Sequence, residues 1–149
     1  HIAQCLAGMA FSNALLGISH SLAHKTGAMF HISHGRCNAI LLPFVIEYNA
    51  KVCVDRYADI ARAIGLPGVT SQQLCNSLVD SIKELNKKLD IKQTYQENGV
   101  TEELLNAHID DIAKNAVDDP CTASNPRPID VETMKKVLLC AYRGEDVTF

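Results

Sequence analysis

Four of the six histidines in this 149-residue chain fall within fifteen residues: His20, His24, His31 and His34. Imidazole ligates metal ions when neutral and carries protons near neutral pH, so the cluster is equipped for either chemistry. On a helix, His20 and His24 at i, i+4 project from one face, and a turn ending near Gly27 would bring His34 back toward them. An open catalytic site for zinc or ferrous iron normally takes about three or four protein ligands. His1 and His108 lie in unremarkable contexts, so this cluster is at least one ligand short. Either the chemistry is not metal binding, or part of the site lies on chain outside these residues.

The elements that must position these histidines read as helices throughout, and the fold class is all-α. Residues 2–25 are expected to form one buried helix, bent near Gly17 and stopped at Gly27, because Ile2, Ala3, Leu6, Ala7, Met9, Ala10 and Phe11 leave almost no polar face. A second helix is expected from about Gly35 toward Tyr48, with Pro43 kinking it or ending its first part, and His34 at its mouth. Lys51 to Ile64 has amphipathic spacing and is closed by Gly65-Leu66-Pro67-Gly68. Thr70 or Ser71 would cap a helix to Leu89 with Leu74, Leu78, Ile82 and Leu85 as its stripe. Lys92 to Gly99 is polar, with few core candidates. Another helix opens at Thr101-Glu102-Glu103 and runs through Leu105, Ile109, Ile112 and Ala116. The loop Asp118–Pro128 is rich in turn formers, and a last helix begins at Asp130 and ends before Gly144. Asp119 and Arg127 are expected to fix that loop by capping or ion pairing.

Composition narrows the function classes. The charged fraction is 21% and the formal net charge is -3, which gives no basis for nucleic-acid or anionic-membrane binding. The first helix is too short and too interrupted by Gln4, Ser12, Asn13 and His20 for a bilayer span, and it lacks the charged start of a signal peptide. Six cysteines, with no C-x-x-C, sit mostly among apolar neighbours and are expected to be free thiols in a reducing cytoplasm. Because the chain starts in what reads as a core helix, residues 1–149 are expected to be the C-terminal piece of a longer protein.

The runs Gly8-Met9-Ala10-Phe11-Ser12-Asn13, His20-Ser21-Leu22-Ala23-His24-Lys25-Thr26-Gly27, Phe30-His31-Ile32-Ser33-His34-Gly35 and Asn38-Ala39-Ile40-Leu41-Leu42-Pro43 carry a family signature, as do Asp119-Pro120-Cys121-Thr122 and Asn125-Pro126-Arg127. The sequence resembles the iron-containing (group III) alcohol dehydrogenases from end to end. That resemblance implies a two-domain, dehydroquinate-synthase-like enzyme: an N-terminal α/β domain that binds NAD or NADP, absent from this chain, and a C-terminal helical domain corresponding to residues 1–149. Small alcohols and aldehydes would be the substrates, and the parent would be a homo-oligomer.

The same resemblance assigns the residues. His20 and His34 match two metal ligands, for Fe2+ or alternatively Zn2+, with an aspartate and a further histidine expected upstream. His24 matches the second histidine of the H-x-x-x-H pair, which lies near metal and nicotinamide and would bind substrate or relay the alcohol proton. His31 would steady His34 or stand free in a loop. Cys121 matches a residue bordering the substrate pocket, where a thiol would line the site without acting as a nucleophile. Two alternatives are a glycerol-dehydrogenase-like polyol oxidoreductase and an inactive isolated helical module.

Overall fold

The computed structural model describes all residues, His1–Phe149, and contains six α-helices, one short 3-10 helix and no strands. The helices are α1 (Ile2–Ala14), α2 (Gly17–Phe30), α3 (His34–Ala63), α4 (Ser71–Lys88), α5 (Glu102–Val117) and α6 (Val131–Arg143), and the 3-10 helix spans Pro120–Ser124 between α5 and α6. The main core is built where α2, α3, α5 and α6 meet, from Ile18, Leu22, Ile40, Leu41, Tyr48, Leu105, Ile112, Met134 and Leu138. Helix α4 lies along α3 and seals two smaller clusters, one around Ile46, Ala50, Cys75 and Val79, the other around Ala58, Ala61, Leu74 and Leu78.

Local signals set several boundaries as expected. Thr70 and Gln73 form a reciprocal capping box at the start of α4, and Asp130 caps α6 through the Thr133 N–H. Gly144 ends α6 at φ 80°, in the left-handed region, where a side chain would be strained.

Residues 2–25 bend just before Gly17, as expected, but the bend is sharp enough to make two helices, and only the second is buried. The chain turns by 107° between α1 and α2, and no residue of α1 is buried. Leu15 makes the corner at φ 62° and ψ -177°, a backbone region favourable only for glycine. An apolar sequence marks a surface that can be covered; within these residues, α1 has nothing packed over it. Gly27 does not stop α2, which runs on to Phe30 and ends at His31 in the left-handed conformation. At Gly27 the helix passes close to the returning chain: a Cβ there would lie 3.1 Å from the Ile32 carbonyl oxygen.

The two helices expected over 35–64 are present as the two arms of α3, which meet without an intervening loop at a kink a few residues later than expected. Pro43 lies inside it and neither ends it nor leaves an unpaired carbonyl, because Asn86 of α4 donates to the Ala39 carbonyl. The one break is at Cys53 (φ -141°, ψ 35°), whose thiol donates to the Asn49 carbonyl. Although α3 is long and apolar enough to cross a membrane, its apolar residues supply the cores described above. The segment 92–99 also departs from expectation: Tyr95 is fully buried and Thr94 nearly so, with the Tyr95 hydroxyl 2.8 Å from Thr26 Oγ1. A polar tip satisfied by a buried hydroxyl lets the ring enter the core, against Phe30.

Candidate metal centre

The three histidines His20, His24 and His34 converge. Ring centroids lie 5.1 Å apart for His20 and His34, 6.1 Å for His20 and His24, and 5.3 Å for His24 and His34, the last pair stacked at an interplanar angle of 14°. Helix α2 supplies the i, i+4 pair and α3 supplies His34 as its first residue. The link between them is the tight return Phe30–Ser33, with His31 at its corner. His31 is exposed and makes no ring contact with the cluster, so it stands free in the loop.

The loop after α5 holds this arrangement in place from a hundred residues away. Gly17 N–H donates to Ser124 Oγ (3.1 Å) and Ile18 N–H to Asn125 Oδ1 (3.4 Å), which satisfies the first free amides of α2. Gly17 has φ +66°, and a Cβ at this position would lie 3.0 Å from Asn125 Oδ1. Asn125 is in turn paired reciprocally with Asn49 of α3, at 2.8 and 3.0 Å. Arg127 completes the anchor by donating to the Tyr48 and Phe149 carbonyls, with its guanidinium 4.1 Å from the Tyr48 ring centre.

Each histidine has a defined partner set. Burial holds the His20 imidazole below its ordinary pKa, and the neighbouring His34 and His24 add to this, while Asp119 opposes it; the neutral ring is favoured. Nε2 of His34 lies 3.1 Å from the Asn38 side-chain amide, whose oxygen accepts from Ser19 Oγ at 3.2 Å. The amide nitrogen is a donor, so Nε2 of His34 accepts from it and is unprotonated, its lone pair engaged by Asn38. Neutral imidazole is the form that ligates ferrous iron or zinc; an ion at His34 Nε2 would take the place of the Asn38 contact, and with that exchange the donor chemistry fits such an ion.

His24 faces the loop instead. Its Nδ1 lies 3.1 Å from Oδ2 of Asp119, which also takes the Lys25 ammonium at 3.0 Å, while Oδ1 caps the 3-10 helix through the Cys121 N–H at 3.0 Å. His24, Asp119 and Cys121 present donor atoms all within 4.8 Å of one another. Lys25 already supplies the positive charge at that carboxylate, so this second group is not cation-starved. The Cys121 thiol is half-buried and its pKa is raised, first by burial and then by the adjacent Asp119, which keeps it neutral. Cys121 thus borders the cluster. Lys25, Asn38, Asn49, Ser124 and Asn125 were not singled out from the sequence for these roles. Nothing in their local spacing marks them, since most of their partners lie on other elements.

The domain is all-helical, and it presents two histidines from α2 and a third from the start of α3, held in place by the distant loop around Asp119, Ser124 and Asn125. Residues 1–142 match the model of the Fe-containing alcohol dehydrogenase family, C-terminal, and the chain belongs to that family. It is 54% identical over 149 residues to an NADPH-dependent butanol dehydrogenase of Clostridium saccharobutylicum, covering 100% of this chain and 38% of that protein. It is 41% identical over 158 residues to an aldehyde-alcohol dehydrogenase of Streptococcus pneumoniae serotype 2, covering 97% of this chain and 18% of that protein. Among solved structures, alcohol dehydrogenase from Oenococcus oeni superposes with a TM-score of 0.84 at 34% identity, over 92% of this chain and 35% of that one. The chain therefore spans well under half the length of these relatives.

Proposed function

We propose that residues 1–149 act as the C-terminal metal-binding domain of an alcohol dehydrogenase that interconverts primary alcohols or diols and aldehydes, with NAD or NADP as hydride partner. The observation that carries this reading is the convergence of His20, His34 and His24 at one edge of α2, in a chain of this family. His20 and His34 hold the metal, and the rest of its ligands and the nucleotide-binding domain come from outside these residues. A divalent ion held there, Fe2+ or Zn2+, supplies Lewis acidity toward the substrate oxygen. His24 is exposed at the cluster's open side, where it hydrogen-bonds the substrate or relays its proton and borders the nicotinamide. Cys121 lines the substrate pocket as a neutral thiol. The six free cysteines suit a reducing cytoplasm. The polypeptide containing this domain works as a homo-oligomer.

Two imidazoles make a weak metal site, because each missing ligand removes both a bond and preorganisation. The 149-residue chain alone is therefore expected to retain little iron or zinc and to oxidise no butanol with NAD or NADP. Within a polypeptide that also supplies the nucleotide-binding domain, turnover is expected, and His20→Ala or His34→Ala should abolish it together with bound metal. Metal content and turnover that survive both substitutions would sink the assignment. Rates on primary alcohols, 1,2-diols and glycerol then separate an alcohol dehydrogenase from a glycerol-dehydrogenase-like enzyme.

A further inference from the structure

Asp119 is the most heavily engaged carboxylate in the chain. One oxygen caps the 3-10 helix through Cys121 N–H, and the other receives both His24 Nδ1 and the Lys25 ammonium. Its side chain is only 6% exposed, whereas that of His24 is 39% exposed. A carboxylate between an ammonium and a backbone N–H is ionised, and an ionised carboxylate only accepts hydrogen bonds. The ring nitrogen of His24 that faces it must carry a proton. In the neutral ring, Nε2 is then the nitrogen with the lone pair.

We propose that Asp119 is a positioning residue that fixes His24 as its Nδ1–H tautomer and holds the ring flat against His34, so that Nε2 is the nitrogen that offers its lone pair at the open side of the cluster. An unconstrained histidine side chain in water favours the opposite tautomer, with the proton on Nε2. The carboxylate therefore reverses a default, and it does so through residues on two elements: His24 on α2, and Asp119 at the mouth of the loop between α5 and α6. Lys25, one residue beyond His24, keeps the carboxylate charged and occupies the cation position beside it. Asp119 also has a capping role, but capping needs only Oδ1. The oxygen aimed at His24 serves the ring.

That this lone pair serves a proton relay rests on the function proposed above; the tautomer does not. The test is ring-nitrogen NMR on the 15N-labelled chain at about pH 8, above the ordinary histidine range. In the unmodified chain His24 is expected to show a protonated Nδ1 and a lone-pair-bearing Nε2. In Asp119→Asn the Cys121 N–H retains the amide oxygen, which turns the amide NH2 toward His24, and the pattern is expected to invert to Nε2–H. Lys25→Gln leaves the carboxylate in place and is expected to keep the original pattern. An Nε2–H ring in the unmodified chain, an averaged mixture like that of free imidazole, or an unchanged Asp119→Asn spectrum would overturn the proposal. If Asp119→Asn does not fold, the unmodified and Lys25→Gln spectra decide it alone. Failure of the dehydrogenase reading would show as absent turnover in the intact enzyme and would leave these spectra as they are.

Discussion

The side-chain amide of Asn86 donates to the carbonyl oxygen of Ala39 at 2.7 Å, and Ala39 is the residue whose i+4 partner is Pro43. Proline has no N–H to give, so α4 supplies across the helix interface the hydrogen bond that α3 cannot make for itself. Because His34 stands at the first turn of α3, the continuity of this helix is part of how the histidine cluster is held.

Asn86→Ala is expected to destabilise the chain by about 1 kcal/mol or somewhat more, the cost of leaving a partly buried carbonyl unpaired. In a Pro43→Ala background the backbone N–H gained at that position takes over the Ala39 carbonyl, and the same Asn86 substitution should cost measurably less. Urea denaturation of the four variants in a double-mutant cycle checks this; additive losses would show that Asn86 does not answer the proline.

Leu15→Gly is expected to raise stability. Leu15 sits at φ 62° and ψ -177°, where a side chain costs about 1–3 kcal/mol and glycine costs little. Part of that gain is returned as the extra backbone freedom of glycine when unfolded, so a net increase of about 1 kcal/mol is expected in the urea midpoint analysis.

Acid stability should carry the signature of Asp119. Burial opposes its ionisation, but hydrogen bonds from Lys25, the Cys121 N–H and His24 outweigh this and hold its pKa well below the usual carboxylate range. The unfolded chain therefore binds that proton first, at about pH 4, and the stabilisation present above this value is lost as the pH falls toward the folded pKa. Asp119→Asn should lower stability at neutral pH and flatten this part of the acid profile, as measured by denaturation at stepped pH.

Helix α1 exposes Ile2, Leu6 and Met9 at 79%, 57% and 56% of their surface. An apolar patch of this kind drives association. The chain is expected to self-associate with rising concentration, and Leu6→Glu with Met9→Glu should restore a monomer in sedimentation or light scattering.

Cys121 should behave as a neutral lining thiol. With its pKa raised by burial and by Asp119, it is expected to alkylate more slowly with iodoacetamide than the exposed Cys5. In the intact enzyme, Cys121→Ser should retain turnover, whereas a nucleophilic role would require its loss.

Features that depend on near neighbours along the chain were legible in the sequence. The all-α class follows from the spacing of apolar residues, and α4 to α6 begin and end where Thr70, Thr101, Asp130 and Gly144 punctuate them, because capping acts within one turn. The i, i+4 pair His20 and His24, and the long signature around it, were likewise legible as written. Contacts between distant elements settled the rest. That α1 is left exposed, that Pro43 interrupts nothing, and that Tyr95 belongs in the core depend on partners supplied by other elements: none over α1, Asn86 for α3, Thr26 for Tyr95. The cluster itself obeys the same division. Sequence put histidines close along the chain, but the Ser124, Asn125 and Asp119 contacts that orient them span 95 to 107 residues, and a separation of that size leaves no local pattern to read.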